Sequence, residues 1–388
     1  MNKLFQVRRV SVSLLLSIAA AIGGASSGML GVCGPFTDVS DAVFCPFVLE
    51  IFYLGITTGT TATTYDPAGN VSRLQMAAFL SRTVDGVLKR GSSRAALGRF
   101  WLPGSSDAVG LATVAGSNPN FVKSDGSDVW ATSLVSLSRV RASDGKLLAT
   151  WTSSTQLSEP MVLAMGRVLT AGSASPGKLM MVDPTQPPGA VTIVASNLLP
   201  FPVGIAFDGS RVWVVNSGPP IGVSIVTPGP TIPWTVTTVT TGDGVATGAL
   251  FDGTSVWITD SQLRKLDASG AIVQTVAVSG TSTHPVFDGA NIWVPDFGGA
   301  VAVVRASTGV ILQTLTGNGL GSAVAAAFDG DRILVTSPNA DGVSLWKAAD
   351  LTPLGFFSTG AGSNPYGACS DGIQFWIALN GKSHIARF

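Results

Sequence analysis

From residue 117 onward the chain repeats itself, and the repeating unit is a hairpin signature. Its clearest form is an apolar residue, Asp-Gly, two variable residues, then Val/Ile-Trp-Val/Ile. It reads Asp208-Gly209-Ser210-Arg211-Val212-Trp213-Val214, returns as Asp252-Gly253-Thr254-Ser255-Val256-Trp257-Ile258, and again as Asp288-Gly289-Ala290-Asn291-Ile292-Trp293-Val294. Asp125-Gly126 leads to Trp130 and Asp371-Gly372 to Trp376, whereas Asp329-Gly330 keeps the turn but has Leu334 at the Trp position. Met165-Gly166 with Leu169 is a degenerate copy. The second-position glycines 126, 166, 209, 253, 289, 330 and 372 are separated by 40, 43, 44, 36, 41 and 42 residues. Gly tolerates positive φ and Asp bonds its own backbone, so each unit predicts a tight turn between two strands. Strand-type units with a period near ~40–45 residues predict propeller blades, here seven.

Each unit divides into four short strands. In the third, these are predicted at 203–207, 212–215, 223–226 and 235–239. The Trp residues are expected to fill the space between neighbouring sheets, which pack ~10 Å apart. The ends of the chain indicate how the ring closes. Residues 109–115 read as an outermost strand with no blade before it, and Ser383 to Phe388 matches the third strand of the first unit. The N-terminal strand then completes the last blade and leaves no open edge. The expected fold is mainly β: a seven-bladed propeller of four-stranded blades over 109–388, closed by an N-terminal strand. A small α-helical module over 29–90 and a linker over 91–108 precede it.

Composition agrees with many short strands and tight turns, with 46 Gly and 22 Pro. Charged residues are 12% and the formal net charge is zero. Nucleic-acid affinity rests on neutralising phosphates, so nucleic acid is not an expected partner. Lys3, Arg8 and Arg9 precede an apolar run from Val10 to Ile22 and small residues from Gly23. This predicts a secretory signal over 1–25, too short to span a membrane. No transmembrane segment is expected after its cleavage, and the mature protein is expected in the periplasm or at the cell surface of a bacterium. In an oxidising compartment Cys33 and Cys45 suit a disulfide. The rival reading makes Leu30-Gly31-Val32-Cys33 a lipoprotein cleavage box. Cys369 falls inside a repeat and reads as a buried small hydrophobe.

In the helical module, Val43, Phe47, Ile51 and Leu54 have helical spacing. Ser72 and Gln75 have capping-box spacing at the start of a second helix, whose apolar face is expected at Leu74, Ala77, Ala78, Leu80 and Val84. Phe36-Thr37-Asp38-Val39, Leu54-Gly55-Ile56-Thr57-Thr58-Gly59, Tyr65-Asp66-Pro67 and Val71-Ser72-Arg73-Leu74-Gln75-Met76-Ala77-Ala78-Phe79-Leu80 resemble, in order, an S-layer homology repeat. The resemblance implies contact with an anionic cell-wall polymer through Arg73, with Gln75 in place of an acidic residue. Alternatively the module is a small helical cap.

The propeller units resemble the bacterial YVTN-type and streptogramin-lyase-like propellers; the Gly-His and Trp-Asp pairs of WD repeats are absent. That resemblance implies the fold, while function must be argued from a site. His284 stands four residues before Asp288, in the place held by Gly204, Gly248 and Gly367 in other units, on the inner strand beside the channel. It either binds a ligand or fills the gap left by the 36-residue interval. Phe121, Gly204, Gly248 and Ala325 are expected to face the channel and argue against a highly charged substrate. In the streptogramin B lyase family a channel-facing His acts with a Glu and Mg2+, which would make His284 and Glu159 the catalytic candidates here. Asn216, Asp260 and Asp296 follow their Trp residues and read either as a polar rim or as turn caps. No Cys/His metal spacing, P-loop or GxSxG elbow is present. The leading expectation is a binding or scaffold protein of the cell envelope, its partner a wall polymer or a protein, peptide or glycan, with no cofactor. The alternatives are a lyase with Mg2+ in the channel and a surface-layer structural component.

Overall fold

The structure is a computed structural model. It describes residues 33, 35–41, 43–53, 56–80, 83, 112–157, 160–242, 246–278 and 280–388. The predicted secretory signal, the linker 91–108 and Glu159 lie outside them. The chain divides into two compact units, Met1–Arg94 and Ala95–Phe388.

In the N-terminal unit a helix runs over Cys45–Tyr53 and a second over 73–80. A Cys33–Cys45 disulfide joins the first helix to the segment before it. Phe36 is fully buried with Val39 and Val48, its ring 5.1 Å from that of Phe52 and 5.6 Å from that of Tyr65. The Asp38 carboxylate accepts the backbone N–H of Tyr65 at 2.8 Å and of Asp66 at 2.7 Å, which fastens the later loop to the first segment. The predicted capping box is present. Ser72 N–H donates to Gln75 Oε1 at 2.8 Å and Gln75 N–H to Ser72 Oγ at 3.2 Å.

The helix faces differ from the sequence expectation. Val48 is 7% exposed and packs with Cys45, Leu49 and Phe52, while Val43 and Phe47 are 71% and 61% exposed. The disulfide pins the helix at Cys45, so the stripe that continues from it, through Val48, Leu49 and Phe52, turns onto Phe36. On the second helix Leu74 and Leu80 are likewise exposed.

The C-terminal unit is a seven-bladed propeller of seven four-stranded sheets. The third blade has strands at Pro202–Phe207, Val212–Asn216, Gly222–Thr227 and Thr235–Thr240, paired antiparallel in that order. The last blade has inner strands at Pro365–Ser370, Phe375–Leu379 and His384–Arg387, and its outermost strand is Ala112–Val114. Ala112 pairs with Ala386, Thr113 with Ile385 and Val114 with His384, so the ring closes as expected.

The seven turn glycines all have φ between 70° and 98°. A Cβ at any of them would meet nothing within 4 Å, so backbone conformation alone selects glycine there. Each Trp of the motif is buried and packs against the next blade: Trp213 on Val256 and Ile258, Trp257 on Ile292 and Val294, Trp293 on Ile333 and Val335. Its indole N–H donates to the Asp that opens the turn, in all five blades that carry both residues. Where Leu334 replaces Trp, Asp329 is paired with Arg332 at 2.7 Å instead. In the second blade Asp and Trp are missing together. Ala164 there pairs directly with Arg167 across Met165-Gly166, a turn shortened to two residues.

Candidate functional site

The inner strands of all seven blades line a central cavity of about 540 Å3. Its wall at one level is set by the residue four before each turn Asp: Phe121, Met161, Gly204, His284 and Ala325 line it. Gly248, expected among them, does not. A Cβ on Gly248 would lie 2.8 Å from Thr283 O and 2.9 Å from Pro285 Cδ, so this position faces the next blade. A Cβ on Gly204 would likewise lie 2.9 Å from Gly248 Cα, and one on Gly367 2.5 Å from Asn120 O. Glycine at this level lets inner strands approach closely around the axis.

His284 is placed differently from its glycine counterparts. Its backbone N–H leaves its own sheet and donates to Val324 O of the next blade at 3.0 Å, beside a parallel bridge to Ala325. Its ring packs edge-on against Phe121, 4.6 Å between centroids, and Phe121 packs on Tyr366 at 5.5 Å. Blades one, five and seven therefore meet in an aromatic cluster within the ring. The imidazole is half-buried, and loss of water pushes its pKa from 6.5 down to about 4. At neutral pH it is an uncharged ring. His284 and Phe121 thus come together on the channel wall; Glu159 lies outside the described residues.

Hydroxyls bind the blades to one another around this level. Thr259 Oγ1 donates to Thr283 O at 2.7 Å, Thr283 Oγ1 to Ala323 O at 3.1 Å, and Thr336 Oγ1 to Tyr366 O at 2.6 Å. Asn216, Asp260 and Asp296 are buried and do not form a rim. Asp260 and Asp296 accept the N–H of Gln262 and Gly298, and Asn216 Oδ1 accepts the Ser224 hydroxyl. Cys369 is buried, and desolvation raises its thiol pKa to about 12.

Sequence reasoning missed Lys123, which also lines the cavity. It stands two residues before Asp125, where the other units have Leu163, Ala206, Leu250, Val286, Ala327 and Cys369. A lone charge at that repeat position was the available signal. Among the described lining residues Lys123 and His284 are the only ones with ionisable side chains, and no carboxylate joins them. A Mg2+ ion takes oxygen ligands, one or two of them carboxylates as a rule. The described lining does not assemble that donor set, nor does any group of three His, Cys, Asp or Glu among the described residues. Arg73 and Gln75 are exposed in the N-terminal unit, and the Gln75 side chain is engaged in the capping box.

Residues 35–77 match the model of the S-layer homology domain. A comparison with the curated proteins finds no match. Among solved structures the chain is similar to the WD40 β-propeller domain of Doa1, at 12% identity and TM-score 0.60, covering 72% of this chain and 95% of that one. It is also similar to a streptogramin B lyase structure, at 16% identity and TM-score 0.57, covering 71% and 94%. At these identities the likeness is one of fold. No helix among the described residues is long and apolar enough to cross a membrane. S-layer homology domains bind cell-wall polymers, so the chain joins an envelope-associated S-layer homology domain to a seven-bladed β-propeller.

Proposed function

We propose that this is an envelope-associated binding protein, with the propeller channel as its ligand site and Arg73 as a contact to wall polymer. The observation that supports it most is the cavity of about 540 Å3, walled by every blade and lined mainly by apolar and small side chains with Lys123 and an uncharged His284 among them. Small-molecule sites are concave, mostly apolar and few per protein, with a small number of polar groups. The exposed guanidinium of Arg73 suits an anionic polymer.

The test is co-sedimentation of the full chain with purified cell-wall sacculi before and after acid extraction of their anionic polymer. Binding that falls on extraction, and falls several-fold with Arg73→Ala, supports the reading. Binding that is absent, or indifferent to both, overturns the wall contact.

The position of His284 on the channel wall also keeps a lyase in view. That reading requires Mg2+ to raise the melting midpoint of the wild type and not of His284→Ala, by mass action on the folded state. The binding reading expects no such difference.

A further inference from the structure

We propose that the channel takes a small apolar molecule bearing a single carboxylate, and that Lys123 is the residue that reads the charge. The proposal rests on the channel being the binding site.

The size of the cavity is the first reason. About 540 Å3 lies within the ~300–1,000 Å3 range of small-molecule sites, too little for a folded partner. Its walls are the second. Phe121 and His284 set two rings on the wall, and Val122, Leu163, Leu250 and Val286 reach it from the packing between blades. A ligand must therefore offer a hydrocarbon or aromatic face beside polar groups.

Charge fixes the rest. Lys123 and His284 are the ionisable side chains among the described lining residues, and His284 is neutral at pH 7. No carboxylate of the described residues lies within ion-pair distance of the Lys123 ammonium, whereas Arg139, Arg211, Arg264 and Arg332 elsewhere in the propeller are each paired with an Asp. The described lining thus carries one unpaired positive charge. A cationic ligand would be repelled by it. A dianion would leave one charge uncompensated against an apolar wall. An uncharged ligand would shield Lys123 from water without giving it a partner. A monocarboxylate with an apolar body meets all three conditions.

The experiment uses the full chain with the fluorescent probe 11-(dansylamino)undecanoate, displaced by decanoate, decanamide or decylammonium. Decanoate should displace the probe about tenfold or more better than decanamide, and decylammonium least, as charge-assisted hydrogen bonds are the stronger kind. Lys123→Gln should weaken decanoate by about tenfold and leave decanamide unchanged, and Lys123→Arg should restore decanoate. Lys123 is exposed, so its substitution removes no buried contact. Equal displacement by decanoate and decanamide, unaffected by Lys123→Gln but abolished by His284→Trp, which enlarges a ring on the channel wall, overturns the carboxylate and keeps the channel as a site. Displacement indifferent to both variants, or no probe binding at all, overturns the channel reading too.

Discussion

The indole Nε1 of Trp213 donates to Oδ2 of Asp208 at 2.7 Å, while Oδ1 of the same carboxylate accepts the N–H of Ser210 and Arg211 at 2.9 and 2.7 Å. One side chain thereby holds the turn closed on one oxygen and orients the Trp on the other. The guanidinium of Arg211 lies over the Trp213 ring, 4.9 Å from its centroid, and pairs with Asp208 as well. One carboxylate thus links the turn to the packing between blades; the second blade lacks Asp and Trp together, and the sixth keeps Asp329 with Arg332 as its partner.

Asp252 makes the same contacts to Trp257, Thr254 and Ser255. Asp252→Ala leaves a buried indole N–H and two backbone N–H groups without their acceptor. We expect it to cost about 2–3 kcal/mol in denaturant unfolding of the propeller, and Asp252→Asn about half as much, since the amide oxygen still accepts. Equal stability of Asp252→Ala and wild type would remove the carboxylate as a stabilising element.

Acid should destabilise the propeller in two stages. His284 has a folded pKa of about 4, below its unfolded value of 6.5. Its contribution is present above pH 6.5 and is lost as pH falls to 4, because the unfolded chain takes up the proton first; the loss is at most about 3 kcal/mol. At Asp208 and Asp252 desolvation raises the pKa but is outweighed by the Trp indole and backbone N–H bonds, so both end below 3.8. Their contribution is present above 3.8 and is lost as pH falls further. Melts of His284→Phe from pH 7 to 4 should be flatter than wild type, with the step below pH 4 retained. Parallel curves would contradict the assignment of the first stage to His284.

Reduction of the Cys33–Cys45 bond, or Cys33→Ser, should lower the stability of the N-terminal unit by about 2–3 kcal/mol, the range for a loop of this size. Differential scanning calorimetry of the full chain should show one transition moving and the propeller transition unchanged.

Removing residues before Gly116 takes away Ala112–Val114 and opens the outer edge of the last blade. Such a chain should melt well below wild type and associate as its concentration rises, as unpaired edges do. Light scattering reads this directly; a monodisperse truncated propeller of unchanged midpoint would show that the seam adds little.

The Asp-Gly turns and Trp positions carried the blade count and the strand boundaries of the third blade, because each is a local demand of chain geometry repeated at fixed spacing, and the match of the two chain ends to parts of the repeat carried the closing strand. The Asp–indole bond is a contact between residues five apart, and neither residue type alone requires it. The packed face of the helix Cys45–Tyr53 was misread because Val43 and Phe47 have the same spacing as Val48 and Phe52, and only the tie at Cys45 selects between the stripes. Gly248 was misread for a related reason. Its place in the repeat matches that of His284, but which way that place faces depends on how near the next blade comes. Lys123 was legible as an exception to the repeat, and its setting beside Phe121 and His284 emerges only when the ring is closed.

Closure by pairing Ala112–Val114 with His384–Arg387 has a mechanical consequence. The chain enters the ring and reaches its last strand in one sheet. Tension applied to the chain ahead of Ala112 would therefore reach first a strand of three residues at the outer margin, far from the axis. Under load that strand would peel one residue pair at a time, as a zipper does, while the six blades stitched within continuous chain bear none of the force until the clasp has opened.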